Sequence, residues 1–280
     1  MQKKYKLLAS DVDGTITNEK GLISIPDLEA IEKAILGGTK IALSTGRAPK
    51  ACTYVLQNLP TEGFHIFYDG ALVCNADQTK TIFSRTIDKK RLADIRNLAH
   101  LDGVTLELFT QTGYYIEHGS PLASLHSHLM KWDWTVTEFA HLCEKEPIIM
   151  GCLVIPATEE LAYQSVLTSF GDRKGLKFNW STHPAWPLVR FVNIVADDVS
   201  KARALKSLCV NLKINLDDVA AISNSANDVT LLESVGLAIA MQSAPPELKA
   251  VADIITAEAK YNGFSQAVME FLLNPGSEDV

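Results

Sequence analysis

Residues Asp11-Val12-Asp13-Gly14-Thr15 directly follow the apolar run Leu7-Leu8-Ala9, so two carboxylates and a tight-turn glycine stand where a buried strand should end. Along an extended chain, positions i and i+2 project from one face. Asp11 and Asp13 can then reach one reacting phosphorus while Val12 points into the core. That pair has the chemistry of an aspartyl nucleophile with an acid/base partner beside it. An anionic nucleophile approaching an anionic phosphate needs a cation between them, and a hard, oxygen-seeking ion such as Mg²⁺ is the natural choice. The competing reading of Asp-x-Asp-Gly is a calcium loop, which needs further oxygen ligands and a closing glutamate within about twelve residues. Here Thr15-Ile16-Thr17-Asn18-Glu19-Lys20 follows instead.

The elements needed to position such a pair are legible on either side of it. Ser24 can cap a helix running through Pro26, Leu28, Ile31 and Ile35, with Gly37-Gly38 to end it, and Lys40-Ile41-Ala42-Leu43 reads as the next strand. Strands separated by helical patterns imply right-handed crossovers and a parallel sheet, and such sheets bind ligands at the carboxyl ends of their strands. Ser44-Thr45-Gly46-Arg47 sits at one of those ends. The Thr45 hydroxyl and the amides around Gly46 can donate to phosphate oxygens, and Arg47 can neutralise charge through a bidentate fork. Alone, Thr-Gly-Arg is an ordinary helix-entry turn; its place one crossover after the aspartate pair is what marks it.

Two further elements join these. Ser200-Lys201 opens a helix that carries Leu205, Leu208, Cys209 and Leu212 on one face. A lysine in a first turn opposes the helix dipole, so an anion is expected near Lys201. Ser223-Asn224-Ser225-Ala226-Asn227-Asp228 forms a polar loop between the strand Val219-Ala220-Ala221-Ile222 and a helix through Val229, Leu231, Leu232 and Val235, again at a strand's carboxyl end.

Composition suits a soluble enzyme. The 280 residues are enough for two domains, and 47% hydrophobic content supplies a core for each. With 26 basic and 33 acidic side chains the net charge is −7, which argues against a nucleic-acid or anionic-membrane surface. Cys52, Cys74, Cys143, Cys152 and Cys209 are scattered without a Cys-x-x-Cys pair, so a reduced, cytoplasmic chain is expected. The apolar stretch behind Lys3, Lys4 and Lys6 stops at Asp11, too short for an export signal.

With these motifs in order, the chain resembles the Cof-like hydrolases of subclass IIB in the haloacid dehalogenase (HAD) superfamily, and the resemblance runs nearly end to end. Asp11 to Thr15 is similar to motif one, Thr45-Gly46-Arg47 to motif two, Val199-Ser200-Lys201 to motif three and Asn224 to Asp228 to motif four. Ile66-Phe67-Tyr68-Asp69-Gly70-Ala71 resembles the family's Asn-Gly-Ala turn, and Leu237 to Met241 its closing strand. The resemblance implies an α/β fold, with a HAD-like Rossmannoid core of mainly parallel sheet flanked by helices and an inserted α/β cap. It implies that Asp11 attacks phosphorus and that Asp13 protonates the leaving group and then activates water. Thr45, Gly46, Arg47 and Lys201 would hold the phosphate. Asp11, Asp13, Asn224 and Asp228 would ligate Mg²⁺, with Asn227 in support.

One departure from the family pattern bears on the metal. Motif four normally opens Gly-Asp, that aspartate binding Mg²⁺ directly; here the pair is Ser223-Asn224. Asn224 keeps an oxygen ligand but loses a charge, worth about 4 kcal/mol at about 4 Å and an effective dielectric near 20. Asp228 is the candidate to supply it.

The domain boundaries expected are a catalytic core of 1–85 and 187–280 around a cap of 86–186 that selects the leaving group. The cap segment offers a helix through Leu92, Ile95 and Leu98 and strands Val104 to Phe109, Tyr114 to Glu117 and Ile148 to Ile155. A helix through Leu161, Val166 and Leu167 and the strand Lys177 to Trp180 follow. Trp132, Trp134, Trp180 and Trp186 read as cap core rather than a roof over substrate. His126 and His128, two apart on a helix, diverge and read as surface residues rather than a metal pair. The expected function is Mg²⁺-dependent hydrolysis of a small phosphorylated metabolite, a sugar phosphate or similar phosphomonoester, through an aspartyl-phosphate, with no nucleic-acid or membrane partner. The alternatives are a phosphomutase, or a phosphometabolite-binding or regulatory protein whose catalysis is weakened by Asn224.

Overall fold

The computed structural model describes residues 5–273 apart from 102–103, 157–163, 165–167, 169–173 and 184–185. The chain divides into two compact units. One takes in residues up to Thr45, Tyr54–Phe83 and the chain from Ser200 onward; the other takes in Gly46–Thr53 and Ser84–Val199. No helix among the described residues is long and apolar enough to cross a membrane.

The first unit is built on five strands, β1 (Leu7–Ser10), β2 (Lys40–Leu43), β12 (Val219–Ser223), β13 (Leu237–Met241) and β14 (Ile254–Thr256). They lie in the order β14-β13-β12-β1-β2, every pairing parallel. β1, β12 and β13 are buried along their whole length, as a parallel sheet covered on both faces requires. The helix Ile25–Leu36 joins β1 to β2. Its start is fixed by Ser24, whose side chain accepts from the Asp27 amide, and its end by the Gly37 amide donating back to the Lys33 carbonyl and the Gly38 amide to that of Ile35. A second helix, Lys201–Leu212, buries Ala204, Leu205, Leu208 and Cys209 against Leu7, Ala9, Val219 and Ala221 of the sheet. That packing holds the first residue of the helix, Lys201, in place. The antiparallel strands β3 (Phe64–Phe67), β4 (Leu72–Asn75) and β5 (Thr81–Ser84) complete the unit, linked to β2 by a Ser44–Ile66 bridge and by the Leu43 amide donating to Nδ1 of buried His65.

The second unit is a six-stranded sheet in the order β10-β11-β9-β6-β7-β8, with β6 (Thr105–Phe109), β7 (Tyr114–Ile116), β8 (Thr135–Val136), β9 (Met150–Pro156), β10 (Leu176–His183) and β11 (Trp186–Ala196). Leu106, Leu108, Leu153, Ile155, Val192 and Ile194 face the helices Lys89–Leu101 and Phe139–Lys145, which contribute Leu92, Ile95, Phe139 and Leu142 to one core. The expected boundary between 186 and 187 falls inside β11. Val189–Ile194 of that strand pair with β9 and Arg190–Ala196 with β10, so 189–196 lie in this sheet and the unit extends to Val199.

The other face of this sheet holds a polar group that the sequence reading did not single out. Glu107, alternating with Leu106 and Leu108, is fully buried; it accepts from the Tyr114 hydroxyl at 2.6 Å and pairs with Nδ1 of His126. The His126 ring lies tilted against that of Phe191, centroids 4.6 Å apart, and is mostly buried, so its expected surface position is corrected. Cys152 completes a cluster whose donor atoms lie within 4.8 Å of one another. Both Glu107 oxygens are already used, and the cluster reads as a satisfied polar centre in an aromatic core. The expected helix through Leu161, Val166 and Leu167 lies outside the described residues.

Candidate active site

β1 ends at Ser10, and its line is prolonged by the Asp11 amide donating to the Ile222 carbonyl at 3.0 Å. Asp11 and Asp13 therefore stand in a turn beyond the strand, and the alternation argument for their common orientation does not apply. The turn supplies the geometry instead. The amides of Thr15 and Thr17 both donate to the Val12 carbonyl, at 3.3 and 3.0 Å, and Gly14 takes a left-handed φ of 72°. Val12 is buried as expected, Asp11 is buried, and Asp13 is exposed.

Lys201 reaches Asp11 from the start of its helix. Ser200 caps that helix by accepting from the Arg203 amide, which leaves the Lys201 side chain to turn into the unit. Its ammonium donates to Asp11 Oδ1 at 3.2 Å and to Asp228 Oδ2 at 2.9 Å, all three side chains being nearly or wholly buried. These carboxylates are the anions that a lysine at a helix N-terminus needs. Burial works against the Lys201 charge, but Asp11, Asp228 and Asp69 outweigh it and hold the ammonium well above the usual lysine range. Burial pushes the Asp11 carboxyl up; Lys201 opposes that shift, while Asp228 and Asp13 add to it.

Asp228 closes the loop after β12. Its Oδ2 also accepts from the Ser223 hydroxyl at 2.6 Å, and that hydroxyl in turn accepts from the Ser225 amide at 3.1 Å. Ser223, buried at the last position of β12, is thus a further residue of the site beyond those the motifs single out. Asp228 Oδ1 is buried and has no hydrogen-bond partner among the described residues. A buried carboxylate oxygen left this way costs about 1–3 kcal/mol, and an oxygen-seeking cation is what would satisfy it.

Asn224 stands beside the first motif. Its Oδ1 accepts from the Thr15 hydroxyl at 3.5 Å, and its Nδ2 lies so near Gly14 that a Cβ there would approach it to 2.3 Å. Asn227 donates to Asp69 Oδ1 at 3.2 Å. Asp69 is itself buried, and its amide donates to the carbonyl of buried Thr45 at 3.1 Å. The structure therefore brings Asp11, Thr45, Lys201, Asn224, Asn227 and Asp228 together within one unit, and adds Asp69 and Ser223. Gly46 and Arg47 group with the second unit.

The chain is similar to known proteins along nearly its whole length. The family model of the haloacid dehalogenase-like hydrolases matches residues 8–268. Phosphatase YwpJ of Bacillus subtilis is 24% identical over 291 residues, covering 95% of this chain and all of that protein. The 5-amino-6-(5-phospho-D-ribitylamino)uracil phosphatase YcsE of the same organism is 24% identical over 270 residues, covering 96% of each. Among solved structures, the subclass IIB sugar phosphatase BT4131 superposes with a TM-score of 0.77 at 22% identity, over 95% of this chain and 98% of that one. The chain belongs to the haloacid dehalogenase-like hydrolases. Within them its likeness in sequence and fold is to the Cof-like, subclass IIB phosphatases.

Proposed function

We propose that the protein hydrolyses small phosphomonoesters, with Asp11 as nucleophile. The observation that carries this reading is the buried Lys201 ammonium, shared between Asp11 Oδ1 and Asp228 Oδ2. Lys201 fixes one Asp11 oxygen and leaves the other to attack. It also places a positive charge where the non-bridging oxygens of a phosphate need one. An Asp11 oxygen bonds to phosphorus as the ester P–O bond breaks, and Asp13 gives its proton to the departing alkoxide. Asp13 then takes a proton from water, whose oxygen attacks phosphorus, releasing inorganic phosphate and the Asp11 carboxylate. Asp13 suits the shuttling role because it is exposed while Asp11 is buried. The Thr45 hydroxyl and Lys201 hold the phosphate; the roles of Gly46 and Arg47 rest on their place in the sequence.

Asp11, Asp13, Asn224 and Asp228 would offer a hard divalent cation oxygen donors alone, and the unpartnered Asp228 Oδ1 suits such an ion. Mg²⁺ bound there would screen the approach of carboxylate to phosphate. Residues 84–199 supply the cap that selects the leaving group. The substrate class is a small phosphorylated metabolite, as the names of YcsE and BT4131 describe for those proteins. The five cysteines are thiols, which fits a reducing, cytoplasmic setting.

Phosphate release from a panel of phosphomonoesters, with and without Mg²⁺, on the native chain beside Asn224→Asp tests the reading. Mg²⁺-dependent release by the native chain supports it. A native chain that binds ligand without turnover, silent until Asn224 becomes aspartate, would favour the binding or regulatory role that the neutral Asn224 suggests.

A further inference from the structure

We propose that Asp69 is a positioning residue of this site, supplying the negative charge that Asn224 does not carry; the inference rests on the reading of the site given above. Asp69 is buried and holds a left-handed backbone, φ 55° and ψ 23°, uncommon for a residue other than glycine. Three contacts account for its place. Its amide donates to the Thr45 carbonyl, and its Oδ1 accepts from Asn227 Nδ2 at 3.2 Å. The next residue, Gly70, at φ 101°, lies so close to the start of the lysine helix that a Cβ there would fall 2.4 Å from the Ser200 carbonyl oxygen and 2.9 Å from the Lys201 nitrogen. The turn is thus pressed against the backbone that carries Lys201, and Asp69 joins Asp11 and Asp228 in holding that ammonium charged.

The charge pattern follows from these contacts. Asp11, Asp69 and Asp228 act on Lys201, Asp13 acts on Asp11, and Asn224 is neutral. Exchanging the side chains at 69 and 224, so that 224 carries the carboxylate and 69 the amide, leaves the number of carboxylates unchanged. The turn resembles an Asn-Gly-Ala turn with aspartate in the asparagine's place, so both departures lie in one site and have opposite sign. Asp69 need not touch a bound cation to act on it. Its field reaches the site beside Asn227 and Lys201, and a unit charge acting on a divalent cation across about 10 Å at an effective dielectric near 20 changes an equilibrium constant about a hundredfold or more.

The experiment is a calorimetric titration of Mg²⁺ alone into the native chain, D69N, N224D and D69N/N224D. Asparagine tolerates the left-handed backbone, so D69N removes the charge and keeps the turn. The expected result is Mg²⁺ affinity about a hundredfold or more weaker in D69N and restored at least to the native value in D69N/N224D, where the new carboxylate lies nearer the cation. A purely structural Asp69 would lower the urea midpoint in D69N and leave Mg²⁺ affinity of the folded chain unchanged. If D69N does not fold, D69G, which relieves the same backbone, removes the same charge. D69N binding as tightly as the native chain, a double variant as weak as D69N, or a native chain that binds no Mg²⁺ overturns the proposal. Phosphate release measured in parallel separates the two readings. The expected affinity cycle with no turnover in any chain refutes hydrolysis alone, and turnover with a flat cycle refutes the role of Asp69 alone.

Discussion

Lys201→Met isolates the electrostatic centre of the account, because methionine keeps an unbranched, apolar side chain and removes only the ammonium. The side chains of Lys201, Asp11 and Asp228 are 4%, 6% and 0% exposed, so water cannot replace the lost cation. Removing one partner of a buried pair costs about 3–5 kcal/mol. Burial already pushes the Asp11 carboxyl up, and proton uptake there relieves part of the cost, so the expected loss is about 3 kcal/mol. With a urea m-value of about 2 kcal/mol/M, the midpoint falls by about 1.5 M. Adding Asp228→Asn removes the second stranded charge, and the double variant is expected to recover about half of that shift. Far-UV circular dichroism is the probe, since all four tryptophans, Trp132, Trp134, Trp180 and Trp186, belong to the second unit and would report on that unit instead. A Lys201→Met midpoint within about 0.3 M of native would refute a buried ammonium shared by two carboxylates.

Other perturbations probe the fold that positions this centre. Burial pushes His65 down to about 3, and its Nδ1 accepts from the Leu43 amide, so it is neutral in the folded chain. Below about pH 6.5 the unfolded chain takes up a proton that the folded one refuses, and stability falls by about 1.4 kcal/mol per unit as pH drops toward 3. His65→Asn, which keeps an acceptor, is expected to flatten that slope; identical pH profiles for native and variant would contradict it. Gly70→Ala, strained at φ 101° and meeting the Ser200 carbonyl, is expected to cost about 1–3 kcal/mol or more in urea denaturation. Glu107→Ala takes the carboxylate from His126, leaves the Tyr114 hydroxyl with the long 3.5 Å bond to the Ala123 carbonyl, and is expected to destabilise the second unit by about 2–4 kcal/mol. Tryptophan fluorescence reads this, because Trp132 packs on Tyr114 at 5.8 Å.

The parts of the fold that follow local rules were legible in the sequence. Ser24 caps the helix Ile25–Leu36 and Gly37 closes it, and the apolar runs at Leu7, Lys40, Val219 and Leu237 are parallel strands. Such elements are set by a cap or by a run of buried positions a few residues long. β11 was not legible, because the prolines at 184 and 187 flank its start and suggest a break, whereas pairing with β9 and β10 decides its membership. Glu107 hides in an apolar strand, its meaning fixed by Tyr114 and His126 on other elements. In the candidate site, the residues within motifs could be found by spacing. Ser223 and Asp69 could not be given their parts, since these depend on contacts with Asp228 and Asn227 across loops that meet only in three dimensions.

The most direct measurement is phosphate release by the native chain and by Asp11→Asn, side by side on the same phosphomonoesters at saturating Mg²⁺. Turnover by the native chain and a loss of roughly a thousandfold or more in the variant, with an unchanged far-UV spectrum, are expected. A folded Asp11→Asn chain that releases phosphate at the native rate would contradict the nucleophilic role of Asp11.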